Sequence, residues 1–288
     1  MKRVILIFIV LAVSACMPDF NPEESEVAGT TLYVDLMPVI RDVMMIDEVF
    51  FEGGRIPDEY AGMARLRVRT YCYDNEGRLV EKQSSSHTDF NKPATFKFAN
   101  LKKSTEYRFV AVADFYIMRS YNEENDIWFH ILTGSPETMY FKRVEGSYGN
   151  FDIIGYASGR SHPSNSEVTL SLVHLGTSCQ IEFLNAGEVT RIYNEYTGLS
   201  AFSPIGDRTK DTESYFYWTN VLEEPYDSLY NGIYIIPPAS GTSKLTFRIT
   251  RSDLEEPLNT SAIIDLIPGN HLKIQINCQD GQILCTEN

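Results

Sequence analysis

The thiols, imidazoles and paired carboxylates are the side chains that could do chemistry, and their spacing argues against most of it. The five histidines, His87, His130, His162, His174 and His271, are scattered singly. None has a partner at the spacing a metal site needs. Carboxylate pairs occur at Glu123-Glu124, Glu223-Glu224 and Glu255-Glu256, all in polar stretches. Two acids distant in sequence could still meet as a glycoside-hydrolysing dyad, but no feature of the chain points to one. The Gly-x-Ser-x-Gly, His-Glu-x-x-His, Gly-x-x-x-x-Gly-Lys and Cys-x-x-Cys patterns are absent. The sequence therefore predicts a protein that is not an enzyme and that carries neither metal nor cofactor.

The aromatic clusters carry the best binding signal. Tyr215-Phe216-Tyr217-Trp218 and Trp128-Phe129 could present ring faces to a sugar, with Trp128, Tyr215, Tyr217 and Trp218 as the candidate ligand-binding residues. In a strand, successive side chains point to opposite faces, so half of each cluster would face a core. Core packing is the favoured reading of these rings. Asp227-Ser228-Leu229 resembles a short O-glycosylation motif of some exported bacterial proteins, which would place a sugar on Ser228.

One thiol stands in a different context. Lys2 and Arg3 precede an unbroken apolar run from Val4 to Val13, then Ser14, Ala15 and Cys16. A positive end, a short apolar core and small residues before a cleavage point make a signal peptide. The run is too short to cross a bilayer, which takes roughly 20 residues. Val13-Ser14-Ala15-Cys16 resembles the lipobox of bacterial lipoproteins. That resemblance implies a diacylglyceryl group on the Cys16 thiol, cleavage before it, and acylation (palmitate or a similar chain) of the new amino group. Each buried methylene contributes about 0.8 kcal/mol, so several acyl chains make a firm anchor. The following Met17 to Glu26 stretch is acidic and holds two prolines, and reads as a flexible tether. Asp19, Glu23 and Glu24 resemble, across the intervening Met17 and Pro18, an acidic signal that sends some lipoproteins to the outer face of the outer membrane. A merely solvated linker reads the same way.

Net charge of −14 in 288 residues argues against a nucleic-acid partner and against adsorption to an anionic membrane surface. The 17 Tyr and 16 Phe lean towards β structure. An exported chain could oxidise its four remaining cysteines, Cys72, Cys179, Cys278 and Cys285. Cys278 and Cys285 would face each other across a turn centred on Gly281-Gln282 but not across one on Asp280-Gly281. Free thiols are the favoured reading. Cys72 and Cys179 lie in apolar strand patterns and read as small buried hydrophobes.

These residues must be positioned by strands. Arg65 to Tyr73 alternates, with Leu66, Val68 and Thr70 on one face and arginines on the other. Tyr107 to Ala113 is denser, as in a central strand. Ile127 to Leu132 reads as a strand or a turn of helix, and Glu188 to Leu199 as a short helix or a strand with a loop. Clean strands recur at Val168–His174, Ser178–Leu184, Lys244–Thr250 and His271–Asn277, and Gly232–Ile236 ends at two prolines. No repeat of fixed short period appears, although the second half repeats the theme of the first. The polar stretch Ser158 to Ser166 is the preferred domain boundary. The reading is a signal peptide (1–15), an acidic tether (16–29), and two all-β sandwich domains (30–163 and 164–288).

Leu66 to Val80 resembles the strand-turn-strand of fimbrillin-type proteins, an apolar strand running into an Asp-x-x-Gly turn. Ile235-Ile-Pro-Pro238, Leu245 to Ile249 and Leu266 to Ile276 are similar to the strand order and Pro-Gly turn of their second domains. The resemblance covers most of the mature chain as pattern rather than invariant motif. It implies two transthyretin-like or immunoglobulin-like sandwiches and a non-enzymatic surface role in cell adhesion, as a fimbrial (pilus) subunit, anchor or tip component. Its implied partners are the membrane through Cys16, other fimbrial subunits, and host or bacterial surface ligands. A different class, a surface glycan-binding lipoprotein of a nutrient-uptake system, would show exposed, coplanar aromatics.

Overall fold

The computed structural model describes residues 27–40, 44–46, 49–51, 64–117, 129–132, 140–143, 153–203, 211–221 and 227–287. Cys16, the tether before Val27 and Trp128 lie outside these residues. The first part of the chain forms β1 (Val27–Asp35), β2 (Met44–Ile46), β3 (Val49–Phe51), β4 (Ala64–Tyr73), β5 (Leu79–His87) and β6 (Ala94–Lys102). It continues with β7 (Tyr107–Ile117), β8 (Phe129–Leu132), β9 (Tyr140–Arg143), β10 (Ile153–Ser161), β11 (Glu167–Ser171) and β12 (Val173–His174). The second part forms β13 (Thr177–Leu184), β14 (Val189–Phe202), β15 (Asp211–Asn220) and β16 (Ser228–Ile235). It ends with β17 (Thr242–Arg251), β18 (Leu258–Asp265), β19 (His271–Asn277) and β20 (Ile283–Glu287). The one helix among the described residues is the single turn Met37–Ile40.

The architecture is all-β, built as two sandwiches. In the first, a sheet ordered β11-β1-β6 faces a sheet ordered β12-β10-β7-β4-β5. Leu32, Val34, Phe96 and Phe98 from one sheet and Leu66, Val68, Phe109 and Ala111 from the other share one core. Period-two patterning causes this: β6 buries Ala94, Phe96 and Phe98 and exposes Thr95 and Lys97 between them. In the second, β16-β13-β19-β20 faces a sheet in which β14 is flanked by β15 on one edge and by β17, then β18, on the other. Ile181, Phe183, Ile274 and Ile276 meet Ile192, Leu245, Phe247 and Ile249 in its core.

The two sandwiches repeat one topology. In each, the opening strand (β1, β13) pairs antiparallel with one neighbour (β6, β16) and parallel with another (β11, β19). In each, the facing sheet runs β5-β4-β7-β10 or β15-β14-β17-β18, all antiparallel. Past residue 163 the chain first returns to the first sandwich: residues 162–166 form a turn, β11 lies along β1, and β12 pairs with β10. In the other direction, the β8–β9 hairpin joins the second sandwich through Ala201↔Lys142 and Phe202↔Phe141. At the junction the Gly176 N–H donates to the buried Tyr234 hydroxyl at 2.7 Å, and Leu199, Tyr234 and Ile236 belong to the first core.

Two open readings are settled. Residues 129–132 are strand, and Glu188 to Leu199 falls mostly in β14, a 14-residue strand. Its alternation was hard to read because Asn194 and Ser200 are polar yet buried. The β19–β20 turn spans Asn277 to Gln282, with Gly281 at φ 75° and its N–H donating to the Asn277 carbonyl. Cys285 therefore stands opposite Ile274, not Cys278, and both thiols are free, as are Cys72 and Cys179.

Candidate binding surface

Alternation along β15 divides the aromatic cluster. Tyr215 turns inward, where its ring stacks on Tyr196 at 5.3 Å and 28° against the second core. Its hydroxyl is buried. Phe216, which was not among the residues selected from the sequence, turns outward and is 58% exposed. It stacks on Tyr193 of β14 with ring centroids 6.2 Å apart and planes 22° apart. Tyr217 and Trp218 lie on the β15 backbone, paired in register with Asn194 and Tyr193, and their side chains lie outside the described residues. Ser228 opens β16, half-buried and paired with Leu184.

Around the Tyr193–Phe216 pair the outer face is laid out by register. One row is Tyr193, Arg248 and Asn259 across β14, β17 and β18. The next is Phe216, Glu195, Thr246 and Ser261. The Tyr193 hydroxyl donates to Glu195 Oε2 at 3.5 Å. Arg191 donates through Nε to Asn220 Oδ1 at 3.0 Å. Arg248 is exposed and makes no ion pair among the described residues.

The same face of the first sandwich is closed. Asp114 of β7 is only 4% exposed at its side chain and takes charge-assisted bonds from two arginines of β4. Arg67 donates through Nη2 at 2.5 Å and Nε at 3.1 Å, and Arg69 through Nη2 at 2.8 Å. Val110 and Val112, on the same face of β7, are fully buried. Beside them burial pushes the Tyr71 hydroxyl up to about 12. At one end of this sandwich a polar cleft of about 130 Å³ is lined by Asp74, Glu76, Glu106 and Arg160 among others. Its charges are largely paired with one another, Arg160 to Glu106 at 3.1 Å and the neighbouring Arg78 to Asp74 at 2.8 Å.

No group of histidines, cysteines and acids able to hold a metal occurs among the described residues. Burial raises the Cys72 thiol to about 12 and Cys278 to about 11, so neither is poised as a thiolate nucleophile. On the other sheet of the second sandwich, Glu182 accepts from Gln275 at 2.7 Å, Tyr230 at 2.8 Å and Lys273 at 3.1 Å. The Gln275 bond foremost, with the Tyr230 and Lys273 bonds, holds its carboxyl below the usual range.

No protein-family model and no curated protein matches this chain. Solved structures do. A candidate adhesin from Bacteroides thetaiotaomicron is 12% identical with a TM-score of 0.51, over 91% of this chain and 97% of that one. The chain shares the fold of that protein. A candidate polysaccharide-binding protein of the same organism is 9% identical with a TM-score of 0.50, over 90% and 95% of the two chains. The fimbrial anchor protein Mfa2 from Porphyromonas gingivalis is 13% identical with a TM-score of 0.45, over 90% and 97%. No helix among the described residues is long and apolar enough to cross a membrane.

Proposed function

We propose that this chain is a non-enzymatic surface lipoprotein, anchored in the outer membrane through Cys16, that acts in cell adhesion as a fimbrial subunit, anchor or tip component. The observation that carries the reading is the tandem sandwich shared over nine-tenths of the chain with a candidate adhesin, in a sequence opening on a lipobox-like tetrad. Within it we favour an anchor or accessory subunit. The tether leads directly into β1, which is hydrogen-bonded on both edges and buries Leu32 and Val34 completely. Load on a lipid at Cys16 would thus enter a central strand rather than a frayed edge. The partners of this reading are the membrane and other fimbrial subunits or surface ligands.

Surface labelling and fractionation of cells carrying the wild type and Cys16→Ala test it. Expected are surface exposure, loss from the membrane fraction in the variant, and recovery of the wild type with sheared filaments. A protein facing the periplasm would sink the proposal. A second reading, a surface glycan-binding lipoprotein, is favoured by the exposed Phe216 ring, held nearly parallel to the half-buried Tyr193. It predicts surface exposure without filaments.

A further inference from the structure

We infer that the outer face of the β14–β15–β17–β18 sheet is a binding surface for an acidic polysaccharide, with pyranose rings on Phe216 and Tyr193 and sugar carboxylates on Arg248. This rests on the glycan-binding reading and names its site and ligand class. Three observations converge. Phe216 is a large apolar side chain left 58% in water on the sheet face, and its ring is held by the stack on Tyr193. A ring fixed in that way loses little entropy on binding. Its exposed face offers the C–H face of a sugar a dispersion partner.

The charge is the second observation. In a chain of net charge −14, this face carries Arg191, Arg248 and Lys244 against Glu195 in the central rows, with Asp265 at the far end of β18. Glu195 is engaged by the Tyr193 hydroxyl, whereas Arg248 stands beside Tyr193 in register without a carboxylate among the described residues. A planar guanidinium presents paired donors that match a carboxylate. The field elsewhere repels a polyanion, so the local reversal both selects and orients one.

The third is shape. Phe216 and Arg248 lie two strands and one row apart, a separation of about 12 Å across the sheet, which suits a run of sugar rings rather than one small anion. Thr246, Ser261 and Asn259 line the same rows and supply hydrogen-bonding groups for hydroxyls.

The test is titration of the full mature chain with polygalacturonate, with dextran as a neutral glycan and polyglutamate as a polyanion without rings. Expected is binding of polygalacturonate at least about tenfold tighter than either control, weakening as salt rises. Phe216→Ala and Arg248→Gln should each weaken it by about tenfold, and Arg248→Gln should flatten the salt dependence. Unchanged melting of both variants shows that the loss is local. The inference is overturned if polyglutamate binds as well as polygalacturonate, if Phe216→Ala keeps wild-type affinity, or if no polymer binds. That last result leaves the anchor reading intact, since fractionation tests it separately.

Discussion

The two sandwiches share a strand order but treat the outer face of the corresponding sheet in opposite ways. In the first, that face of β4 and β7 is buried: Arg67 and Arg69 converge on Asp114, and Val110 and Val112 are sealed from water. In the second, the corresponding β14, β15 and β17 leave Tyr193, Phe216 and Arg248 to solvent or half-buried. Topology fixes which residues face outward, and the outward residues decide whether the face is structural or available. A fold can therefore be duplicated while only one copy carries a site.

The largest effects should come from the interior that both copies need. Phe247 is fully buried on β17, packed edge-on against Phe183 at 5.8 Å and 79°. Phe247→Ala should cost about 3–5 kcal/mol by transfer and cavity terms, read as a drop in the urea midpoint. Asp114→Ala should cost about 3 kcal/mol. It strands two arginines, and their 21% and 16% exposure puts the loss at the low end for a broken buried pair. If Asp114→Ala cost no more than a surface substitution, the contrast between a closed and an open face would collapse.

How much of this was legible in the sequence depends on what each pattern could report. Period two in Leu66-Arg67-Val68-Arg69 located β4 and its core side correctly. It assigned the arginines to a half-solvated face, because their partner Asp114 lies 47 residues away from Arg67 and only pairing with β7 brings them together. β14 was ambiguous because Asn194 and Ser200 occupy buried positions where apolar residues would have marked the strand. The aromatic cluster was visible, but its phase was not. Nothing local says whether Tyr215 or Phe216 faces the core, since that is set by the register with β14. The signal that could have found Phe216 is its position between tyrosines in an alternating strand, read in the opposite phase.

A mid-sized effect sharpens the comparison at the junction. A Cβ on Gly176 would sit 2.5 Å from the Ile235 carbonyl oxygen and 2.7 Å from the Tyr234 ring. Backbone cannot swing aside as a side chain can, so Gly176→Ala should cost about 1–3 kcal/mol. Calorimetry would show whether the two sandwiches then melt apart.

Acid should separate the copies further. Burial lowers His87 in the first sandwich and His271 in the second. Each unfolded imidazole binds its proton first, so stability is complete above pH about 6.5 and is lost as pH falls towards the lower folded values. Glu182 belongs to the second sandwich alone, and its lowered carboxyl contributes stability that is complete above pH about 4.5 and lost as pH falls through the folded value. Melting temperature against pH should therefore decline in two stages, and Glu182→Gln should shrink the lower stage and leave the upper one, since the carboxyls of Asp74, Asp89 and Asp253 are also held below their ordinary range.

The smallest effect on stability is the most diagnostic. Phe216 and Phe247 lie on the same sheet and face opposite ways, one 58% exposed and the other fully buried. Phe216→Ala removes one stacking partner from Tyr193 and opens no cavity, so its cost should stay within about 0.5 kcal/mol. Conserving an aromatic ring in water is worth nothing to the fold at that level. A larger loss, measured by the same urea titration, would mean that Phe216 props Tyr193 and the sheet beneath it, and the open face would then be structural like its counterpart in the first sandwich. A negligible loss accompanied by weaker polygalacturonate binding assigns the ring to recognition, and with it the difference between the two copies.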